Sequence, residues 1–271
     1  MAKRLDQNLG SRRLLLLGIV AAGVLALVQL GITPGDMIPS DASGAGVGKF
    51  FLAALTPAIG ADTLLIAARA ALTTLRFAAL ATAISVVGGF VLGFLGSTAW
   101  WPPGARRNPL RLGTLVATRA LITFMRSVHE LLWAVLFLTA IGFSATAGVI
   151  AIAIPFIGTF AKIFSEMIDE APRAAADALG ASGASPLRVY LFGLLPLALP
   201  DILAYILYRF ECALRASAVI GFFGIPTIGQ YIKLAFEDLN YPVVWTYLYM
   251  LIAMVIIFDL WSGSARRRIA H

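Results

Sequence analysis

The sequence predicts an all-α integral membrane protein with about six transmembrane helices, and three observations predict it. Of the 271 residues, 60% are hydrophobic and 13% charged, about half the charge of an ordinary soluble domain. The mean hydropathy is +0.88. The apolar residues form long continuous runs, and basic residues gather in every second gap between them. In hydrocarbon each backbone amide must find its partner within its own segment, so such runs become helices. Outer-membrane barrels use short alternating segments instead. A chain of this length accommodates about six spans of about 20 residues with their loops. That reading leaves no room for a fused nucleotidase.

The net charge of +7 raises nucleic acid as a partner, but its placement points to membrane topology and anionic lipid instead. Lys3, Arg4, Arg12 and Arg13 precede the first run. Arg106, Arg107 and Arg111 occupy a second gap, and Arg266, Arg267 and Arg268 close the chain. The positive-inside rule then sets both termini of a multi-pass membrane protein in the cytoplasm. Cys212 is the single cysteine, with His129 and His271 the only histidines. No intrachain disulfide and no metal site is expected. No nucleophile–base pair is visible, so no catalytic residue is assigned.

The first span is Leu14–Ile32, read as uncleaved because G-I-T-P-G-D follows it rather than a small-residue cleavage site. Residues 33–60 are rich in Gly, Pro, Ser and Asp and read as an outward-facing loop. Residues 1–62 thus form an N-terminal helix with a periplasmic loop, and residues 63–271 form the core. The second span, Thr63–Leu95, is overlong, and its start with Arg69 and Arg76 reads as a tilted entry turn. W-W-P-P-G-A-R-R-N-P ends it, with Trp100 and Trp101 in an interfacial aromatic belt. A helical stretch carrying Arg111, Arg119 and Arg126 leads into the third span, Val128–Phe143. The fourth is Gly148–Ile163, with Pro155 as a kink. A cytoplasmic loop covers Ser165–Leu195. Then come span five, Pro196–Val219, an outer re-entrant segment from Gly221 to Asn240, and span six, Val243–Trp261.

The cytoplasmic loop is the most informative stretch. Glu166, Asp169, Glu170 and Asp177 mix with Ala174, Ala175, Ala176 and Ala178, which favour helix and leave a smooth surface. Pro172 can sit at a helix start. Gly180 and Gly183 permit a turn at positive φ or the close approach of a partner. Ser185 is a candidate N-cap with Pro186 as first helical residue, and Leu187, Val189, Tyr190 and Phe192 make an apolar surface around Arg188. The expected product is a helix–turn–helix knob, a short lever whose entry into span five is fixed by Pro196 and Pro200.

The spacing D-A-L-G-A-S-G-A-S-P-L-R-V-Y-L-F-G-L-L-P resembles the "EAA" loop of ABC importer permeases. R-S-V-H-E at 126–130, the stretch from Lys162 to Pro196, Y-R-F-E at 208–211 and G-F-F-G-I-P-T-I-G at 221–229 are similar in order and spacing to the phosphonate importer permeases. The resemblance covers nearly all of the chain from Leu72 onward. It implies a type I ABC importer permease fold, a five-helix core plus an N-terminal helix. It also implies an ATPase-coupling loop made by Asp177, Ala178, Leu179, Gly183, Ala184, Ser185, Pro186, Leu187, Arg188 and Pro196. Asp177 stands where the family usually has Glu. The implied partners are two ATPase subunits, a second permease subunit, a periplasmic or lipid-anchored substrate-binding protein, and membrane lipid. ATP and Mg would bind the partner ATPase, with no cofactor on this chain. The family often shows G-A-G-G-I-G where this chain has G-I-P-T-I-G at 224–229, a stiffer and bulkier turn. Gly221, Gly224 and Gly229 are its outer-gate candidates.

Charges inside spans are costly and by default face a cavity or each other. Arg126 and Glu130 are four apart, as are Glu211 and Arg215, so each pair is expected to bond along one helix face. Arg209 and Arg215 are expected on different faces of span five, not at one spot of a pore wall. Arg126, Glu130, Arg209, Glu211 and Arg215 are the translocation-pathway candidates, and a tetrahedral oxyanion suits the planar guanidinium fork. The competing structural reading is that the i,i+4 pairs only neutralise one another. S-G-A-G-V-G-K-F at 43–50 imitates a phosphate loop, but Ser43 and Phe50 replace its first Gly and its Ser or Thr. The expected function is the permease subunit of an ATP-driven importer for phosphonates, phosphite, hypophosphite or phosphate. A methionine-type or other importer is the alternative within the class, and an ion-coupled carrier using His129, Glu130 and Glu211 is the alternative outside it.

Overall fold

The computed structural model describes residues 2–31, 41–99 and 109–269. The aromatic belt at Trp100 and Trp101, the pair Arg106 and Arg107, and the first residues of the outer loop, 33–40, lie outside the described residues. The chain divides into two compact units, Met1–Leu55 and Thr56–His271. Unit one holds α1, Ala2–Gln29, and α2, Asp41–Ala53. Side chains of α1 from Leu14 to Leu30 are exposed, including Leu14 at 72%. An apolar surface of that kind is stable in lipid rather than water.

Helix α2 corrects the expectation of a featureless loop. Gly44, Gly46 and Gly48 weaken its first half, but the apolar end V-G-K-F-F-L-A sustains the helix. The phosphate-loop imitation at 43–50 lies inside that helix, which removes the loop such a motif needs.

Unit two is a helical bundle. It comprises α3 (Ala61–Gly96), α4 (Pro109–Ser127), α5 (Glu130–Ile141), α6 (Ala145–Glu170) and α7 (Ala174–Ala181). A continuous helical stretch follows: α8 (Pro186–Arg188), a π-helical segment (Val189–Leu194), α9 (Leu195–Ile220) and a 3-10 turn (Gly221–Phe223). Helices α10 (Ile228–Glu237) and α11 (Tyr241–Ile269) complete it. Among the described residues four helices are long and apolar enough to cross a membrane, and α4 with α5 passes the same test only as a pair, bent by 90° at its break. The apolar part of α1, Leu14–Gln29, is shorter.

Three sequence boundaries are corrected. Helix α3 is unbroken through Arg69 and Arg76, with no separate entry turn. The third span is broken: α4 ends at Ser127 and α5 restarts at Glu130. Alone, α5 would be about 18 Å long, too short for a hydrocarbon core of about 30 Å. Finally, the loop 165–195 has narrower bounds, because α6 runs to Glu170 and the fifth span begins at Pro186, with the expected helix–turn–helix formed by α7 and α8. Pro196 and Pro200 do not start that span; they lie within it. Their rings displace carbonyls one turn earlier, and the π segment just before them absorbs the mismatch, with Leu195 N–H donating to the Tyr190 carbonyl.

Packing centres on α3 against α6. Ala67, Ala70, Thr74, Ala78, Ala81, Ser85, Gly89, Gly93 and Gly96 form a buried stripe of small residues on α3. Repeated at three- and four-residue steps, such residues let two backbones approach closely. A Cβ at Gly89 would lie 2.5 Å from the Phe160 Cβ, and one at Gly93 would lie 3.1 Å from the Ala161 carbonyl oxygen. Ser85 Oγ donates across the seam to the Ala153 carbonyl at 3.2 Å. Phe77 stands beside Gly148 at one end of the seam, so α3 and α6 run in the same direction. Helix α9 returns antiparallel, with Tyr205 against Phe160 and Arg209 over Phe156.

Gly89→Val is therefore expected to destabilise the bundle by about 1–3 kcal/mol through overpacking. Gly113→Ala, inside α4 with nothing within 4 Å of its Cβ, should instead stabilise by about 0.5–1 kcal/mol through helix propensity. Thermal unfolding in detergent checks the pair.

Candidate functional site

At one end of the bundle α6 passes through Ala171, Pro172 and Arg173 into α7, which turns at Ser182–Ser185 into the fifth span. Two hydrogen bonds close that turn: Ala184 N–H to the Leu179 carbonyl at 3.1 Å and Gly183 N–H to the Gly180 carbonyl at 3.0 Å. This is a Schellman closure, and it requires a left-handed residue between them. Gly183 supplies it at φ +84°. Gly180, the other candidate for positive φ, stays helical. Ser185 sits at the N-cap position before Pro186 but makes no side-chain capping bond, so it caps by backbone geometry alone. Pro172 precedes α7 in the linker rather than opening the helix.

The elbow is held from beneath. Ala176 is buried, and a Cβ at Gly193 would lie 3.1 Å from its Cα, so Gly193 is the seat of α7. Tyr190 is buried with its ring edge-on to Phe94 at 4.8 Å. Asp177, Ala178, Gly183, Ser185, Pro186, Leu187, Arg188 and Pro196 are exposed, while Leu179 and Ala184 are half-buried. The expected knob is therefore present in shape, with a smooth outer face.

Sequence reading passed over the residue that ties this elbow to the bundle. Asp169, near the end of α6, accepts hydrogen bonds from Ser97 Oγ at 2.6 Å, Thr98 N–H at 3.0 Å and Thr98 Oγ1 at 3.0 Å. It also accepts from Ala99 N–H at 3.0 Å. Arg119 of α4 stands 3.8 Å away and donates from Nε to the Gly96 carbonyl at 3.1 Å. One carboxylate thus clasps the end of α3 to the end of α6, with α4 bridging. A carboxylate accepting several N–H and O–H groups is charge-assisted and directional. The signal was S-T at 97–98 after a helix end, which says nothing about a partner 70 residues away.

The pathway candidates divide. Glu211 and Arg215 pair at 3.2 Å as expected. Arg126 and Glu130 do not pair, because the helix breaks between them. Gly158 of α6 admits the end of α4 so closely that its Cβ would lie 3.0 Å from the Ile122 carbonyl oxygen. The chain then turns through Ser127–His129. Trp133 Nε1 donates to the freed Met125 carbonyl at 3.3 Å. His129 caps α5 by accepting the Leu131 N–H at Nδ1, 3.3 Å, and its Nε2 lies 3.7 Å from Glu130. The ring that an ion-coupled carrier would use is thus engaged in starting a helix.

A second correction concerns Arg209 and Arg215. They line the same cleft of about 320 Å³, together with His129, Glu130, Phe156 and Cys212. Long side chains override the angular separation of their Cα atoms. Arg209 leans over the Phe156 ring at 4.4 Å, with Nε buried and without an acceptor. Arg215 folds toward Glu211 and Cys212. Arg126 and Glu211 are not on that wall. A second cleft of about 600 Å³ lies further along the same face of α9, lined by Asp201, Tyr205, Tyr208, Glu170 and Arg266 among others. One helix face therefore serves both clefts.

At the far end of α9 two of the three gate candidates are packed positions. Gly221 and Gly229 are buried where the end of α9 crosses the start of α10; a Cβ on Gly229 would collide with the Ala218 carbonyl. Gly224 is exposed at φ +93°. Ile225 and Thr227 are buried, and the Ile228 N–H donates to Thr74 Oγ1 of α3 at 3.0 Å.

Asp169→Asn, which keeps shape but loses charge, should cost about 1–3 kcal/mol of stability. Gly183→Ala should cost about 1 kcal/mol, from the left-handed backbone alone, since nothing crowds its Cβ. Denaturant unfolding of the purified variants measures both.

Comparison with known proteins follows the same division. The chain is 33% identical over 199 residues to the phosphite transport system permease protein PtxC of Stutzerimonas stutzeri, covering 73% of this chain and 70% of that protein. It is 33% identical over 172 residues to the phosphate-import permease protein PhnE of Mycolicibacterium smegmatis, covering 64% of this chain and 31% of that protein. Among solved structures, the inward-facing MetNI methionine ABC transporter superposes at TM-score 0.67 with 20% identity, over 78% of this chain and 99% of that one. An amino acid ABC transporter solved with histidines superposes at 0.64 with 18% identity, over 76% and 95%. The fold is that of the type I ABC importer permeases. A family model described as "Binding-protein-dependent transport system inner membrane component" matches residues 105–271. The chain belongs to that family, as a multi-pass membrane subunit of an importer that works with an ATPase and a substrate-binding protein.

Proposed function

We propose that this chain forms the translocation pathway of an ATP-driven importer for phosphorus oxyanions: phosphonates, phosphite, hypophosphite or phosphate. The observation that carries this reading is the cleft where Arg209 and Arg215 face one space, in a chain whose relatives are named for phosphite and phosphate. A planar guanidinium bonds two oxygens of a tetrahedral anion at once, which an ammonium does less well.

Coupling falls to the elbow. Two ATPase subunits, which bind ATP and Mg themselves, grip the outer face of α7 on this chain and on a second permease subunit. Their closure draws the two elbows together. The Asp169 clasp makes the end of α3 follow α6, and the small-residue seam carries the movement along the bundle as one body. The route then opens to a docked binding protein outside, and nucleotide release returns it inward. This is a shift between two discrete packings driven by differential contacts. Both termini lie in the cytoplasm under this reading, as the basic clusters require. No cofactor is held by this chain.

Growth on phosphite or methylphosphonate as sole phosphorus source, with and without the gene, tests the cargo. Loss of growth is expected on deletion. Growth unchanged on these sources but lost on limiting methionine would transfer the chain to the methionine-type alternative. Gly183→Trp should insert normally and abolish uptake, while wild-type uptake in that variant would remove the elbow from the coupling mechanism.

A further inference from the structure

The inference concerns how the cleft releases its cargo, and it rests on the oxyanion reading. We propose that Glu211 is an internal counter-anion, which competes with the transported oxyanion for Arg215 and keeps the cleft from trapping it.

The two arginines are not equivalent. Arg209 lies over the Phe156 ring at 4.4 Å, and its buried Nε has no acceptor. Among the described residues no carboxylate stands within ion-pairing distance of it. Arg215 is already engaged: its Nη2 lies 3.2 Å from Glu211 Oε1, one turn earlier on α9. The Glu211 side chain is only 15% exposed, whereas that of Arg215 is 56% exposed. Arg215 lines the cleft and Glu211 stands behind the wall. Glu130, on the opposite side, adds a second carboxylate. Two carboxylates thus offset two guanidinium groups, and the empty cleft is formally neutral. An entering oxyanion meets one open guanidinium at Arg209. It gains the second in competition with Glu211, whose carboxylate already holds Arg215 Nη2.

The Glu211–Arg215 pair is half exposed and so weak enough to be exchanged for another anion. Two free guanidinium groups would hold a phosphorus oxyanion too long for a carrier. With Glu211 present, the fork of Arg215 is contested, and its return to Glu211 helps to expel the anion when the route opens. Glu211→Gln keeps the size of the side chain and removes the competitor. It leaves Arg215, which solvent already reaches, facing the cleft alone.

The test uses the whole permease–ATPase assembly in nanodiscs, without binding protein, titrated with radiolabelled phosphite and with inorganic phosphate. Glu211→Gln is expected to bind about two- to fivefold more tightly, the range for a partly exposed charge pair. In proteoliposomes with the binding protein, its maximal uptake rate should fall several-fold. Glu211→Asp should bring both values back toward wild type, a rescue that a purely structural role for the side-chain length would not give. The Glu211→Gln/Arg215→Gln double variant should lose the extra affinity, and it also serves if the single variant is poorly folded. Unchanged or weaker binding in Glu211→Gln, or tighter binding that persists without Arg215, overturns the proposal. Arg209→Gln separates this from the reading beneath it. Wild-type binding and uptake in Arg209→Gln would remove the oxyanion cleft itself. Lost uptake there beside a silent Glu211→Gln would remove only the counter-anion.

Discussion

The close approach of α3 and α6 at Gly89 and Gly93 sets the geometry of everything else. With the Phe160 Cβ within 2.5 Å of where a side chain would begin, no other residue fits at Gly89 without moving a helix. Lipid gives helices no hydrophobic reason to associate, so such a seam depends on shape and on a few polar bonds across it. Ser85 provides one near its middle and Asp169 provides several at its end. The pair is thereby bonded at its middle and at its end, with α4 notched into Gly158 and α9 laid against Phe160.

That packing bears on the coupling role proposed for the elbow. A short helix such as α7, seated on Gly193 through Ala176, can transmit force only if the elements it joins do not slip. The clasp at Asp169 prevents slip between α3 and α6, and the π segment lets the fifth span pass Pro196 and Pro200 unbroken. At the opposite end the crossing of Gly221 and Gly229 and the bond from Ile228 to Thr74 tie α9 and α10 to α3. Movement imposed at one end therefore has a continuous packed path to the other. Between them, one face of α9 carries both clefts.

Much of this was legible in the residues. Hydropathy and arginine placement gave a helical membrane bundle, and the spacing around Gly183 gave the elbow with its left-handed turn. The Glu211–Arg215 pair followed from a spacing of four within one helix. Most of what failed had one cause: local periodicity does not report tertiary contact. Arg126 and Glu130 have the same spacing, but Gly158 seats α4 so closely that the chain turns before Glu130. Arg209 and Arg215 diverge by helical angle and converge by side-chain length. Asp169 was one acid among several, because its partners Ser97, Thr98 and Arg119 lie far away in the chain. Helix α2 was hidden by glycines that a short apolar run outweighs.

The central claim is that the exposed face of α7 is gripped from the cytoplasm by a separate motor. Ala178→Cys in a Cys212→Ser background places one thiol on that face. Oxidative cross-linking of this variant to single-cysteine ATPase subunits in native membranes tests the claim most directly. The account predicts a cross-link whose yield changes between ATP-bound and nucleotide-free states, with labelling of the thiol only from the cytoplasmic side. A thiol labelled from outside, with no cross-link in either state, would contradict it.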